Sequence, residues 1–230
     1  RLYAEALGMA EEMLWVPVRP DWLDDRDVIG AFNSLTSRFE PAPCGLIERL
    51  VAAKLDYDRG RGGIYLICLD EMNLARVEHY FAQFLSVLER PAGHRELSIM
   101  AEGVAQKDDP YRPYSRLRIA PNVRFVGTVN VDETTHFFSP KVIDRASLLV
   151  LEDPIFAGAG LAKDRGPAAG MATVGQDEYS SWVKSGEGAS GPRDFIMAID
   201  KVLRKHRSGL GHRTVDRVLS YVASANGVIP

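Results

Sequence analysis

This sequence predicts an α/β fold with a mainly parallel sheet, on three observations. The run Ile64-Tyr65-Leu66-Ile67-Cys68-Leu69 is continuously apolar, is preceded by glycines and ends in two acids. That is the signature of a central parallel strand buried on both faces. A second strand-like run, Arg124-Phe125-Val126-Gly127-Thr128-Val129, is also followed by a polar residue. Helical periods lie between and around these runs, and strands alternating with helices build parallel sheets.

Each element follows from its local pattern. Leu2 to Met9 reads as the tail of a helix, with Gly8 near its end. Leu14 to Val18 is a short apolar strand closed by Pro17 and Pro20, and Asp21 to Asp27 is an acidic loop. Gly45 to Tyr57 places Leu46, Ile47, Leu50, Val51 and Leu55 at helical spacing. Arg59-Gly60-Arg61-Gly62-Gly63 precedes a strand instead of opening a helix, so it reads as a flexible connection and not as a phosphate cradle. From Leu74, the positions Val77, Phe81, Phe84, Leu85 and Leu88 share one helical face, and Pro91 ends that helix. His94 to Met100 and Arg116 to Ile119 form the two arms of an inserted hairpin around a polar stretch, Gly103 to Tyr114. Ser147 to Leu151 reads as a further strand. Beyond Pro154 the composition shifts. Ala157 to Gly170 and Ser185 to Pro192 are rich in Gly, Ala and Pro and read as loops. Helical patterns cover Glu178 to Lys184, Asp194 to His206 and Arg213 to Ala225. The expected organisation is an α/β core over 1–153 and a small, incomplete helical lid over 154–230.

Composition narrows the function classes. The 230 residues are 46% hydrophobic and 26% charged, ordinary for a globular chain. The formal net charge of -3 argues against a global basic field for nucleic acid. Cys44 and Cys68 lack CxxC spacing, which points to a reduced, cytoplasmic setting. No apolar run approaches the roughly 20 residues of a membrane helix. His79, His94 and His136 lack metal-ligand spacing, so no zinc site is expected.

The chemistry-bearing words are Leu69-Asp70-Glu71 and Gly127-Thr128-Val129-Asn130. A buried strand ending in two acids delivers its carboxylates to the carboxyl edge of the sheet, where open α/β folds bind ligands. Asp70 is expected to hold Mg²⁺ through water, because that ion keeps much of its hydration shell. Glu71 is the expected general base toward an attacking water. Asn130 ends a second buried strand, from which an amide can orient that water or touch a terminal phosphate. Taken singly, the acids could be a helix-starting pair and Asn130 a turn residue. Together they repeat one design.

Here the sequence resembles a family. Leu69-Asp70-Glu71-Met72-Asn73-Leu74-Ala75-Arg76-Val77-Glu78 is similar to the Walker B region of McrB-like AAA+ ring NTPases and their MoxR-related neighbours. So are Gly127-Thr128-Val129-Asn130-Val131-Asp132-Glu133-Thr134-Thr135 and Ser139-Pro140-Lys141-Val142-Ile143-Asp144-Arg145-Ala146. Val16-Pro17-Val18-Arg19-Pro20-Asp21-Trp22 with Asp27-Val28-Ile29-Gly30 resembles that family's second strand and the loop after it. The resemblance covers residues 1–152 well and the rest more loosely. It implies a P-loop NTPase-type fold and hydrolysis of ATP or GTP with Mg²⁺. Asp70, Glu71 and the sensor Asn130 would act in cis. Arg145 would act in trans as an arginine finger, for which the alternative is a surface ion pair with Asp144. Arg213, and four residues on Arg217, match a lid helix that reaches nucleotide, with a solvated basic face as the alternative. A homo-oligomeric, hexameric ring is implied, with a nuclease subunit as partner and DNA bound through other domains.

One departure stands out. The family's G-x-x-x-x-G-K-[ST] loop is nowhere in these residues. Arg1 to Gly8 resembles the helix that follows it, so the loop is expected upstream, and this stretch alone is expected to be a poor NTPase. The expected function is a motor subunit of a DNA restriction system. A MoxR-like remodeller of proteins is the rival within the class. A scaffold that kept the fold without turnover is the rival outside it.

Overall fold

The computed structural model describes residues 4–5, 8–130, 135–150, 173–185, 190–205 and 209–225. The chain divides into two compact units, Arg1–Gln176 and Asp177–Pro230.

The first unit is built on three parallel strands, β1 (Met13–Pro17), β4 (Tyr65–Asp70) and β7 (Val123–Gly127), in the order β1-β4-β7. Register aligns Leu14 with Ile67 and Phe125, and Val16 with Leu69 and Gly127. Because alternate residues face opposite sides, these rows form one face of the sheet. That face is covered by the helix α2 (Leu46–Asp58) and by two short helices, α3 (Val77–Tyr80) and α4 (Ala82–Val87), whose apolar residues join it in a single core. Phe81 stacks on Phe84 at 4.4 Å, and both meet Phe125 edge-on. The opposite face carries the row Trp15, Cys68 and Val126, in which only the central Cys68 is buried, while Trp15 is 46% and Val126 47% exposed.

The central strand is buried from Tyr65 to Leu69, as an uninterrupted apolar run requires. Two strand expectations need correction. β7 is an edge strand that is buried only at its start and exposed from Val126 onward, because nothing described pairs with its outer side. Residues 147–150 form no strand, and Leu148, Leu149 and Val150 are exposed; the last residue of that expected strand lies outside the described residues. The helix expected from Leu74 onward is also broken. Met72–Leu74 forms a 3-10 turn, Ala75 is extended, and Phe81 (φ -111°, ψ 17°) interrupts α3 and α4.

Two hairpins complete the unit. The expected one pairs β5 (Glu96–Ser98) with β6 (Arg116–Arg118), and Leu97 opposite Leu117 seals it to the core. The other, β2 (Gly30–Asn33) with β3 (Arg38–Pro41), is unexpected and follows a short helix, α1 (Arg26–Ile29), whose first two residues end the segment read as an acidic loop. Asn33 Oδ1 accepts the amides of Leu35 and Thr36 at its turn, and buried Asp109 accepts Phe39 N–H at 2.7 Å. Gly30 (φ 107°) is obligatory there: a Cβ would lie 2.2 Å from the Glu40 carbonyl oxygen. A last short helix, α5 (Pro140–Ile143), precedes Arg145. Of the first expected helix, Leu2 to Met9, Ala4 and Glu5 are helical and Leu2, Tyr3, Ala6 and Leu7 lie outside the described residues.

The helix α6 (Gln176–Trp182) leads into the second unit, where α7 (Ser190–Lys205) and α8 (His212–Ala225) pack together around Ile196 and Leu219. Asp200 Oδ1 accepts Leu210 N–H at 2.7 Å and its Oδ2 accepts Arg204 Nε–H at 2.5 Å. The Arg204 guanidinium holds the Asp200 carboxyl below the usual carboxylate range. Among the described residues no helix is long and apolar enough to cross a membrane.

Candidate functional site

The carboxyl ends of β4 and β7 meet at one corner. Pairing runs in register to Leu69 and Gly127, then continues as Thr128 N–H donates to the Leu69 carbonyl at 3.0 Å and Met72 N–H to the Thr128 carbonyl at 2.8 Å. This doubled link ties the residues after one strand to the residues after the other. Gly127 leaves room for Met72 at the crossing: a Cβ there would sit 2.6 Å from Met72 Sδ and 3.3 Å from Met72 Cβ, so the Met72 side chain would have to move.

At this corner the three residues expected in cis come together. Thr128 Oγ1 donates to Asp70 Oδ1 at 2.6 Å and accepts Glu71 N–H at 2.8 Å. Trp15, from β1, donates its indole N–H to Asp70 Oδ2 at 3.2 Å. Both oxygens of Asp70 are therefore oriented by donors from the two flanking strands. Asn130 Nδ2 donates to Glu71 Oε1 at 3.0 Å. Glu71 Oε2 carries no hydrogen bond among the described residues. Asp70 and Glu71 are half-buried, whereas Thr128 and Asn130 are exposed, so solvent reaches the corner. Beneath Asp70, the Cys68 thiol is pushed up, first by burial and then by the Asp70 charge.

Glu71 has a left-handed backbone, φ 50° and ψ 49°. This conformation is uncommon outside glycine and asparagine, and strain of that kind gathers at functional positions. It turns the chain sharply after β4 and sets the Glu71 carboxylate beside Asn130.

The donor set suits a hard cation. Two carboxylates, a hydroxyl and an amide oxygen are ligands for Mg²⁺ and not for a soft metal. Among the described residues no group of three or more His, Cys, Asp or Glu side chains could enclose a metal ion. Asp70 and Glu71 are the carboxylates at this corner that could meet such a cation.

The remaining expected residues lie elsewhere. Arg145 follows α5, where its Nε is 2.6 Å from Glu89 Oε1 and one terminal nitrogen donates to the Lys141 carbonyl at 2.8 Å. Its guanidinium thus forms an ion pair with Glu89. Arg213 and Arg217 belong to the second unit, four residues apart at the start of α8. Reading the sequence missed Trp15 and Thr128. Thr128 had a signal, a hydroxyl two positions before Asn130 at the end of a strand. Trp15 had none, because only pairing β1 beside β4 brings its indole to Asp70. Val131 to Thr134, part of the second motif, lie outside the described residues.

No protein-family model matches this chain, and neither a curated protein nor a solved structure gives a match to it.

Proposed function

We propose that this corner is the metal-holding and water-activating half of an NTPase site of the AAA+ type. The protein is then a ring motor that hydrolyses ATP or GTP and resembles, in its strand-end motifs, the McrB-like motors of DNA restriction. One observation carries the reading: the Asn130 amide lies on Glu71 Oε1 at 3.0 Å, beside an Asp70 whose two oxygens are both oriented. A pair of acids capping a strand needs no amide from a neighbouring strand. A water-activating carboxylate does, because its second oxygen must be held toward the water it deprotonates.

Each residue then has a definite task. Asp70, steered by Thr128 and Trp15, would hold Mg²⁺ through water, and the ion would supply charge neutralisation at the phosphates. Glu71 Oε2 takes the proton of the attacking water while Oε1 is held by Asn130. Arg145 serves the neighbouring subunit's nucleotide, and Arg213 and Arg217 serve nucleotide from the lid. The loop that cradles the phosphates is not among these 230 residues, so hydrolysis is measured on the full-length protein.

The test is steady-state NTP hydrolysis with Glu71→Gln and Asn130→Ala. A general base contributes about 10²–10⁴-fold, so Glu71→Gln is expected to lower kcat by that factor while nucleotide still binds. Unchanged turnover in both variants would remove the reading.

A second reading has an observation of its own. Asp70 already accepts two protein donors, an arrangement that also suits a carboxylate locking three strand ends together in a non-hydrolysing scaffold. In that case Asp70→Asn lowers stability and no nucleotide hydrolysis is found in the wild type.

A further inference from the structure

Asn73 stands two positions after Glu71 in the Met72–Leu74 turn and is only 2% exposed. Its Nδ2 donates to the Asn130 carbonyl at 2.7 Å and to the His136 carbonyl at 3.3 Å. Its backbone carbonyl accepts His136 N–H at 2.9 Å, and Thr135 Oγ1 adds a second donor to the Asn130 carbonyl at 2.9 Å. The two carbonyl acceptors fix which end of the Asn73 amide faces them. Its other end, Oδ1, is buried with no hydrogen-bond partner among the described residues.

An orphaned buried acceptor is a cost that an apolar side chain of similar volume would avoid. Packing alone does not explain an amide here. What the amide supplies is a pair of donors joining residue 130 to residue 136. It also closes a circuit: Glu71 Oε1 accepts from the Asn130 side chain, the Asn130 backbone accepts from Asn73, and Asn73 is covalently two residues from Glu71. The Glu71–Asn130 contact is thereby held from both ends.

We propose that Asn73 is a positioning residue for hydrolysis: it anchors the Asn130 backbone so that the Asn130 amide stays on Glu71 Oε1 and Oε2 is left for water. It touches no nucleotide itself. The proposal rests on the hydrolytic reading above, but its geometric half can be tested without turnover.

The experiment uses full-length Asn73→Ala, with Glu71→Gln and Asn130→Ala as references. Steady-state kinetics are expected to show kcat lowered by about 10–10²-fold, as small misplacements of reacting groups do, with KM changed less than about twofold. The double variant Asn73→Ala/Asn130→Ala is expected to be no slower than Asn130→Ala alone, because one residue acts through the other. A nucleotide-free crystal structure of Asn73→Ala is expected to show the Asn130 amide off Glu71. An unchanged kcat, fully additive losses, or an Asn130 amide still on Glu71 overturns the proposal. If Glu71→Gln and Asn130→Ala both leave turnover intact, the hydrolytic reading fails, and the crystal structure alone then decides whether Asn73 places Asn130. Should Asn73→Ala not fold, Asn73→Asp keeps the shape but puts an acceptor where two donors stood, and it carries the same expectations. Misfolding of both, with Asn130→Ala folded, makes Asn73 a folding residue and overturns the proposal.

Discussion

Glu71 spends conformational energy where it stands. A left-handed backbone costs an L-residue with a Cβ roughly 1–2 kcal/mol, and asparagine tolerates it better because its short amide bonds locally. Glutamate at φ 50° is therefore a poor local choice, and among the described residues its side chain gains one exposed hydrogen bond, from Asn130, beside backbone bonds that any residue there could make. Such an exposed bond recovers little, about 0.5 kcal/mol or so. Glu71→Asn is then expected to leave the fold as stable as wild type or up to about 1 kcal/mol more stable, while it replaces the carboxylate with a shorter, neutral amide. Urea unfolding of the nucleotide-free protein checks this, read beside the hydrolysis assay. A clear fall in the unfolding midpoint would mean that the strain is compensated elsewhere and that Glu71 is at home structurally. A gain in stability joined to lost turnover is the trade expected of a residue kept for chemistry.

Between elements, polar ties set how the central strand sits on its helix, and one of them titrates. Tyr65 opens β4 and donates its hydroxyl to Asp56 Oδ2, near the end of α2, at 2.5 Å. Burial first, and then the Asp56 carboxylate beside it, push the Tyr65 phenol up to about 12. An unfolded tyrosine ionises near 10, so the folded state holds this proton longer. The stabilisation is complete below about pH 10 and is lost as pH rises through about 12. Burial also pushes the Tyr80 and Tyr111 phenols up, so tyrosinate absorbance against pH is expected to show several late-ionising residues, one fewer in Tyr65→Phe, together with a shallower alkaline loss of stability between pH 10 and 12; a titration unchanged by the substitution would put the late proton elsewhere. The same scale explains what could be read in advance. β4, α2 and the β5–β6 arms were legible because burial imposes a period on apolar residues, and the β4 run has no polar interruption. The β2–β3 hairpin was not, since its turn depends on Asn33 capping two amides and its base on Asp109, seventy residues away. The break at Phe81 was hidden because an apolar helical period survives a change of axis between two short helices. At the corner, Asp70, Glu71 and Asn130 stood out as polar ends to strands. Trp15 and Asn73 became visible only when strand order made them neighbours of the corner, whereas Thr128 carried a signal in its hydroxyl two positions before Asn130.

At the scale of the whole molecule, Arg145 decides whether one chain holds a complete site. Within its own unit it pairs with Glu89 at 2.6 Å and with the Lys141 carbonyl, and its side chain is about one quarter exposed. A merely structural arginine would act only through that pair. Removing either partner would then cost a similar, modest stability and leave turnover alone, since partly exposed ion pairs contribute about 0–1 kcal/mol. If Arg145 serves a neighbour's nucleotide, the two substitutions separate. Arg145→Ala is expected to lower hydrolysis by about 10³-fold, the least that an arginine finger contributes. Glu89→Gln, which loosens the pair but keeps the guanidinium, is expected to retain most of the activity. Mixing adds a stricter criterion. Full-length Arg145→Ala and Glu71→Gln proteins are each expected to be slowed as above when alone, but if the protein forms a ring, mixed assemblies contain some interfaces that join an intact Glu71 on one subunit to an intact Arg145 on the next. Activity is therefore expected to return on mixing, toward a quarter of wild type if subunits exchange at random, because half the interfaces hold an intact base and half of those an intact arginine. Titrating the mixing ratio and recording NTP turnover reads this directly. Rescue can arise only if the two residues act across a subunit boundary. Two variants that stay inactive at every ratio, under conditions where exchange is shown by labelled subunits, would place Arg145 back in its pair with Glu89 and leave the corner at Asp70 and Glu71 without a partner in trans.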